Sequence, residues 1–236
     1  MSPEPLISDE NLNRLLFEIA KDYRKRTHQK GKAEIIIVGG SAIIAAYHFR
    51  RSSTDIDALV FADSELFDSI RKVGDDNGLP PSWFNDDFSS TESYSPHLVE
   101  FSAFYKEFCH CLQVRVISGA YLLAMKLQSF RIYKDDSDVV GIYAEERSQG
   151  HDISEAEVQK AYHDLYGEKA QLSEEALSFY RGLQKIPDLG RYYAEIKGEE
   201  GVRKAKLIEL SQTDRSHIKT LSKSELRALL EKVKKQ

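Results

Sequence analysis

The most constraining feature of this chain is a short β-branched run, Glu34-Ile-Ile-Ile-Val38, that stops abruptly at Gly39-Gly40-Ser41. Residues stiff at χ1 favour extended backbone. With no polar alternation after Glu34, the run reads as a strand buried on both faces. Ser41 to Phe49 follows as a compact helix, and Thr54-Asp-Ile-Asp-Ala-Leu-Val-Phe61 as a second strand. The order is therefore strand, glycine turn, helix, strand.

Each part of that order has a chemical use. A strand running into Gly39-Gly40 turns sharply and presents no side chain to an approaching anion. A helix starting at Ser41 points free N–H groups and its positive dipole end at the same place. The Ser41 hydroxyl would add a further donor. On the second strand, residues two apart share a face, so Asp55 and Asp57 aim two carboxylates together while Ile56 enters the core. Paired hard oxygen ligands suit Mg²⁺ or Mn²⁺, ions that keep several waters and recruit substrate phosphates. An anion cradle beside a divalent-metal platform meets the requirement of phosphoryl or nucleotidyl transfer. Gly-Gly-Ser alone is an ordinary strand-to-helix turn, and Asp-x-Asp alone is common on strand edges; their conjunction in order carries the weight.

The flanks complete a front half of strands and helices. Ser8 caps a helix whose apolar face is Leu12, Leu15, Leu16, Ile19 and Tyr23. Arg24 to Lys32 is basic and broken by Gly31. Ser64 to Val73 is expected to form a helix capped by Ser64, and Gly74 to Ser95 a loop with Pro80-Pro81 and the single tryptophan, Trp83. Further strands are expected at His97–Tyr105 and Leu112–Ile117. Cys109-His110-Cys111 would lie in a strand with both thiols on one face; its spacing suits neither a stapling disulfide nor a zinc site. From Gly119 the pattern turns helical, with a helix that Ser118 can cap and further segments near 154–166, 173–184, 187–197 and 222–234. Ser154 with Glu157, and Ser222 with Glu225, have capping-box spacing. The expected fold is α+β: a mixed sheet flanked by helices over residues 1–118, followed by a helical region over 119–236.

Charge narrows the function. Lys and Arg number 33 against 38 Asp and Glu, a formal net charge of −5. That disfavours nucleic-acid binding by global charge, and directs attention to local patches at Arg24-Lys25-Arg26 with Lys30 and Lys32, or at the basic C-terminus. No apolar run approaches the roughly 20 residues of a membrane span, and Met1-Ser-Pro-Glu-Pro lacks secretory character. A cytoplasmic location without membrane contact is expected.

Val38-Gly-Gly-Ser41 with Asp55-Ile-Asp57 resembles the signature of the nucleotidyltransferase superfamily, a G-[GS] turn before a D-x-[DE] pair. Arg50-Arg51-Ser-Ser-Thr54 is similar to the basic, Thr-ending lead-in of AbiEii-like members, the toxins of bacterial toxin–antitoxin and abortive-infection systems. Tyr121-Leu-Leu-Ala-Met-Lys126 and Arg131-Ile-Tyr-Lys-Asp135-Asp-Ser-Asp138-Val resemble that group's two downstream motifs. Trp83-Phe-Asn85-Asp86 looks like a W-[LF]-N-D patch of some bacterial members of uncertain function.

The resemblance implies transfer of NMP from an NTP to an RNA, such as tRNA, or to a protein. Asp55 and Asp57 would bind metal, and Gly39, Gly40 and Ser41 the nucleotide. Lys126 would serve the phosphates or the aspartate platform, and Asp138 would be functionally important. A cognate antitoxin would be a partner. By its own position Lys126 either snorkels outward or enters a site, and Asp138 could equally be a helix cap. Arg50 and Arg51 suit phosphate or solvent alike. Many superfamily members carry a third carboxylate on a later central strand; here only Glu100 is a candidate, with Arg115 on the next strand. That departure leaves a catalytically degenerate nucleotide- or partner-binding module as the alternative; an antibiotic adenylyltransferase, which shares the same front motif, is a weaker one.

Overall fold

A computed structural model describes residues 7–47, 49–130 and 135–213. The expected helix at 222–234, the basic C-terminus and the start of the Arg131–Val139 motif lie outside them. The elements run β1 (Ile7–Ser8), α1 (Asp9–Arg26), β2 (Ala33–Ile37), α2 (Gly39–Ala46), β3 (Ser52–Ser53), β4 (Ile56–Phe61), α3 (Ser64–Asp76) and β5 (Phe84–Asn85). A 3₁₀ turn (Asp87–Ser90) follows, then α4 (Leu98–Phe101), β6 (Ala103–Phe108), β7 (Leu112–Val116), α5 (Gly119–Gln128), α6 (Asp136–Ser148), α7 (Glu155–Tyr166), α8 (Glu174–Leu183) and α9 (Leu189–Thr213). The chain divides into two contact units, Met1–Leu189 and Gly190–Gln236. Helices α5 to α8 belong to the same unit as the sheet.

The sheet has the order β5-β4-β2-β7-β6. β2 lies antiparallel to β4 and parallel to β7, with β5 parallel to β4 and β6 antiparallel to β7. It is the mixed sheet flanked by helices, with helices after it, that the sequence predicts. β2 is central, and Ile35, Ile36, Ile37 and Val38 are fully buried, as their unalternating run requires.

Helix α1 buries the expected face: Leu12, Leu15, Leu16, Ile19 and Tyr23 are each at most 1% exposed. Burying one such aliphatic side chain contributes about 1.5–3 kcal/mol. Ser8 starts the helix with a capping box shared with Asn11. The same segment pairs antiparallel with β3, Ile7 opposite Ser53 and Ser8 opposite Ser52. The entry to α1 thus braces the lead-in to Asp55. Ser154 and Glu157 form the expected capping box of α7.

Five local expectations are corrected. Residues 98–101 form the short helix α4 rather than strand, and the strand begins at Ala103. Ser95 accepts from His97 N through Oγ, and Leu98 N returns to Ser95 O, so the chain winds a turn before it extends. Cys109 and His110 are not strand but the reversal between β6 and β7. Both have left-handed φ (51° and 55°), and Cys111 N donates to Phe108 O, a turn that matches strand twist. The N-cap of α3 is Asp63, not Ser64, and Ser118 occupies the N-cap of α5 without a side-chain capping bond. Helix α9 extends well past 197, to Thr213.

Tyr47, just past α2, carries a junction. Its hydroxyl accepts from Gly119 N (2.7 Å) and donates to Glu146 Oε1 (2.6 Å). The start of α5 and the body of α6 are thereby fixed to the end of α2, and those two helices bring Lys126 and Asp138 to the site.

Candidate active site

Strand β2 passes directly into α2. Val38 is its N-cap, and the first intrahelical bond runs from Ala42 N to Val38 O (3.2 Å). The helix therefore opens at Gly39 rather than Ser41, leaving the N–H groups of Gly39, Gly40 and Ser41 without intrahelical acceptors. Val38 N donates to Asp57 O (2.9 Å), which sets the turn beside Asp57.

Both glycines are required by what approaches them. Gly39 has φ +62°, and a Cβ there would lie 2.9 Å from Asp57 Oδ2. A Cβ on Gly40 would lie 2.9 Å from both Arg50 Nη2 and Ser53 Oγ. The turn thus accommodates a carboxylate on one residue and a guanidinium on the next. Ser41 is buried, and its hydroxyl donates to Asp55 O at 2.5 Å. It ties α2 to the strand entry instead of offering that hydrogen to a phosphate; its backbone N–H remains for that purpose.

Asp55 and Asp57 flank the fully buried Ile56, and each is half-buried. Asp55 Oδ1 accepts from Thr54 Oγ1 (3.1 Å) and more weakly from Ser53 Oγ (3.5 Å). The carboxyl of Asp57 is pushed above its ordinary value, first by burial and then by the negative charge of Asp55. Lys126 and the Asn85 side chain pull the other way. Among the described residues neither aspartate forms an ion pair. Two hard oxygen donors, close enough to repel and lacking a contacting cation, fit a divalent ion that completes its shell with water and phosphate. No group of three or more metal-ligating side chains occurs among the described residues.

A second charge cluster adjoins the first. Asp138, 4% exposed, accepts Arg50 Nη1 on both carboxylate oxygens (2.9 and 2.8 Å) and Lys126 Nζ on Oδ2 (2.8 Å). Lys126 Nζ also lies 3.7 Å from Asp135 Oδ1. Asp138 is not the N-cap of α6; Asp135 is, without a side-chain capping bond. Arg50 and Arg51 separate clearly. Arg50 is held against the Gly40 turn, its Nε donating to Ser52 O (3.1 Å), whereas Arg51 is exposed.

Glu100 is not brought to this site as a strand carboxylate. It sits on α4, is exposed, and pairs with His97 Nδ1 at 3.3 Å. Arg115, on β7, donates to Ser102 O and lies 3.8 Å from Glu34. The basic stretch is also elsewhere. Arg24 Nη1 and Lys32 Nζ bond the carbonyls of Cys109 and His110, at the opposite end of β2 from Gly39, about 17 Å away along a five-residue strand.

One site residue escapes the sequence reading although its motif was visible. Trp83 is buried against Gly74 of α3, and its carbonyl accepts from Ile56 N (2.8 Å). This docks β5 on β4 in parallel, with Asn85 directly beside Asp57. Asn85 Oδ1 accepts from Asp87 N (3.1 Å), and Nδ2 donates to Ser82 O (3.3 Å). The signal was the Trp83-Phe-Asn85-Asp86 patch itself.

No curated protein and no solved structure matches the chain. One family model does, over residues 14–164, a span containing the glycine turn, the aspartate pair, Asn85, Lys126 and Asp138. On that match, the chain belongs to the family DUF6036, described as a nucleotidyltransferase of unknown function.

Proposed function

We propose that the chain is a Mg²⁺-dependent nucleotidyltransferase that moves NMP from an NTP to an RNA, such as tRNA, or to a protein acceptor. The observation that carries this reading is the Asp55–Asp57 pair set against the Gly39-Gly40 turn, with Asp57 raised by burial and by its neighbour's charge. Asp55 and Asp57 would hold Mg²⁺ or Mn²⁺. The ion, when bound, supplies charge neutralisation on the phosphates and makes an acceptor hydroxyl easier to deprotonate.

The protein's own groups do the rest. N–H groups of Gly39, Gly40 and Ser41 receive phosphate oxygens at the positive end of α2. Lys126 lies close enough to influence Asp57 and offsets negative charge at the mouth. The acceptor hydroxyl gives up its proton to solvent, its oxygen bonds to the α-phosphorus, and the bond to the bridging oxygen breaks, releasing pyrophosphate. Fixed donors aimed at the developing charge supply stabilisation without reorganisation.

A toxin role with a cognate antitoxin rests on the AbiEii-like wording of the Arg50–Thr54, Lys126 and Asp135–Asp138 segments, and a cytoplasmic location on the lack of a membrane-length apolar run or secretory character in the sequence. No helix among the described residues is long and apolar enough to cross a membrane. The second reading, a nucleotide-binding module without catalysis, is favoured by one observation: Glu100, the third-carboxylate candidate, faces His97 instead of the pair. Incubation with Mg²⁺, total RNA and each α-labelled NTP separates the two. The enzyme reading predicts label in RNA or in protein, lost in D55N/D57N. Label in neither, with nucleotide still bound, supports the binding module.

A further inference from the structure

Asp138 and Arg50 invite a more specific assignment, which rests on the nucleotidyltransferase reading above. Both oxygens of Asp138 are engaged by cations, Arg50 Nη1 on each and Lys126 Nζ on Oδ2. The side chain is 6% exposed, against 28% for Arg50 and 15% for Lys126. A carboxylate neutralised by a guanidinium and an ammonium is a poor proton acceptor and a poor metal ligand. It is well suited to hold two cations in place.

What it holds them toward follows from Gly40. Nη2 of Arg50 lies where a Cβ on Gly40 would stand 2.9 Å from it, and it donates to no described residue. Arg50 Nε and Nη1 are committed to Ser52 O and Asp138, so two of the three guanidinium nitrogens are fixed and Nη2 remains. Nη2 adjoins the α2 turn, whose first three N–H groups lack intrahelical acceptors. Arg51, one residue on and exposed, has no such clamp.

We propose that Arg50 is a substrate-binding residue that contacts the polyphosphate through Nη2, and that Asp138 is a positioning residue that orients Arg50 and Lys126 rather than acting on the reacting atoms. Only a planar, forked cation serves both ends at once; a lysine reaches one or the other. Polyphosphate, not the base, is the chemistry recognised.

Inorganic tripolyphosphate is the probe, since it carries no base. It would be titrated with Mg²⁺ into the wild type, R50A, R50K and D138N, with Mn²⁺ binding measured by electron paramagnetic resonance on the same samples. R50A and R50K are expected to weaken tripolyphosphate about tenfold or more, the worth of one charge-assisted bond, while Mn²⁺ affinity stays within about twofold of wild type. D138N should weaken tripolyphosphate and raise KM for NTP, with the pH profile of kcat unmoved. If R50A does not fold, R50K decides, because it keeps a cation beside Asp138. Wild-type tripolyphosphate affinity in R50K would overturn the assignment of Arg50. Loss of Mn²⁺ from D138N, or a displaced pH profile, would overturn that of Asp138 by making it a ligand or a proton carrier. D55N/D57N is the independent control: retention of Mn²⁺ there sinks the metal platform, whatever Arg50 does.

Discussion

Two acidic sites lie side by side in this molecule, and they are built on opposite principles. Asp138 is nearly buried and meets Arg50 and Lys126 at 2.8–2.9 Å. Asp55 and Asp57 are half-buried, close together, and without an ion-pair partner among the described residues. A buried charge costs several kcal/mol unless paired, so Asp138 is paired from within the chain. The Asp57 carboxyl stays raised, first by burial and then by the charge of Asp55. The fold therefore tolerates local destabilisation where an external cation would relieve it, and neutralises charge where geometry must be held. A perturbed carboxyl such as that of Asp57, in a mouth lined by N–H groups without intrahelical acceptors, is a functional signature for that reason.

The contrast can be broken most forcefully at Asp138. D138A should destabilise the fold by about 3 kcal/mol, because Arg50 and Lys126 lose their common partner while partly buried. Chemical denaturation measures it; a loss under about 1 kcal/mol, the range of surface pairs, would show that the network is superficial. Replacing either platform aspartate should not carry that cost.

A smaller effect is expected at Asn85, which stands beside Asp57 through the β4–β5 pairing and helps to keep its carboxyl ionised. N85A should weaken Mn²⁺ about tenfold, the usual consequence of losing a neighbour that orients a ligand. Titration of Mn²⁺ into N85A checks this, and unchanged affinity would detach the Trp83–Asp86 segment from the metal platform.

The smallest effect is a stability gain. The folded-state pKa of Asp57 is raised above its ordinary value near 3.8, so protonation favours the folded protein. That contribution is fully present below the unfolded-state pKa and is lost as pH rises through the folded-state value. Metal-free D57N should therefore melt slightly higher than wild type at pH 7, and the difference should vanish below pH about 4. Thermal melts across that range test the sign; a lower melting temperature for D57N at pH 7 would mean that Asp57 is already satisfied within the chain.

The comparison also separates what could be read in the chain from what could not. The aspartate pair and glycine turn were legible because their residues are near in sequence and their spacing determines their geometry: Ile56 enters the core and the two carboxylates flank it. The clamp was only half legible. Arg50 and Asp138 are 88 residues apart, and nothing local distinguishes Arg50 from Arg51; only the docking of α5 and α6 beside α2 does. By its own helix position Lys126 favours snorkelling and only the resemblance assigns it to the site; the fold places Asp138 against it. Ser41 was assigned to phosphate because its hydroxyl follows the turn, but the Asp55 carbonyl, brought near by β4, takes that hydrogen first. Helix α4 and the Cys109-His110 reversal were misread as strand because apolar residues and short elements carry no decisive period.

Titration of Mn²⁺ into the purified chain, wild type against D55N/D57N, tests most directly the claim that the unpaired aspartates are a divalent-metal platform. The expected result is saturable binding to the wild type, tightened by tripolyphosphate and lost in the double variant. Equal binding by the two proteins, or none by either, would contradict it.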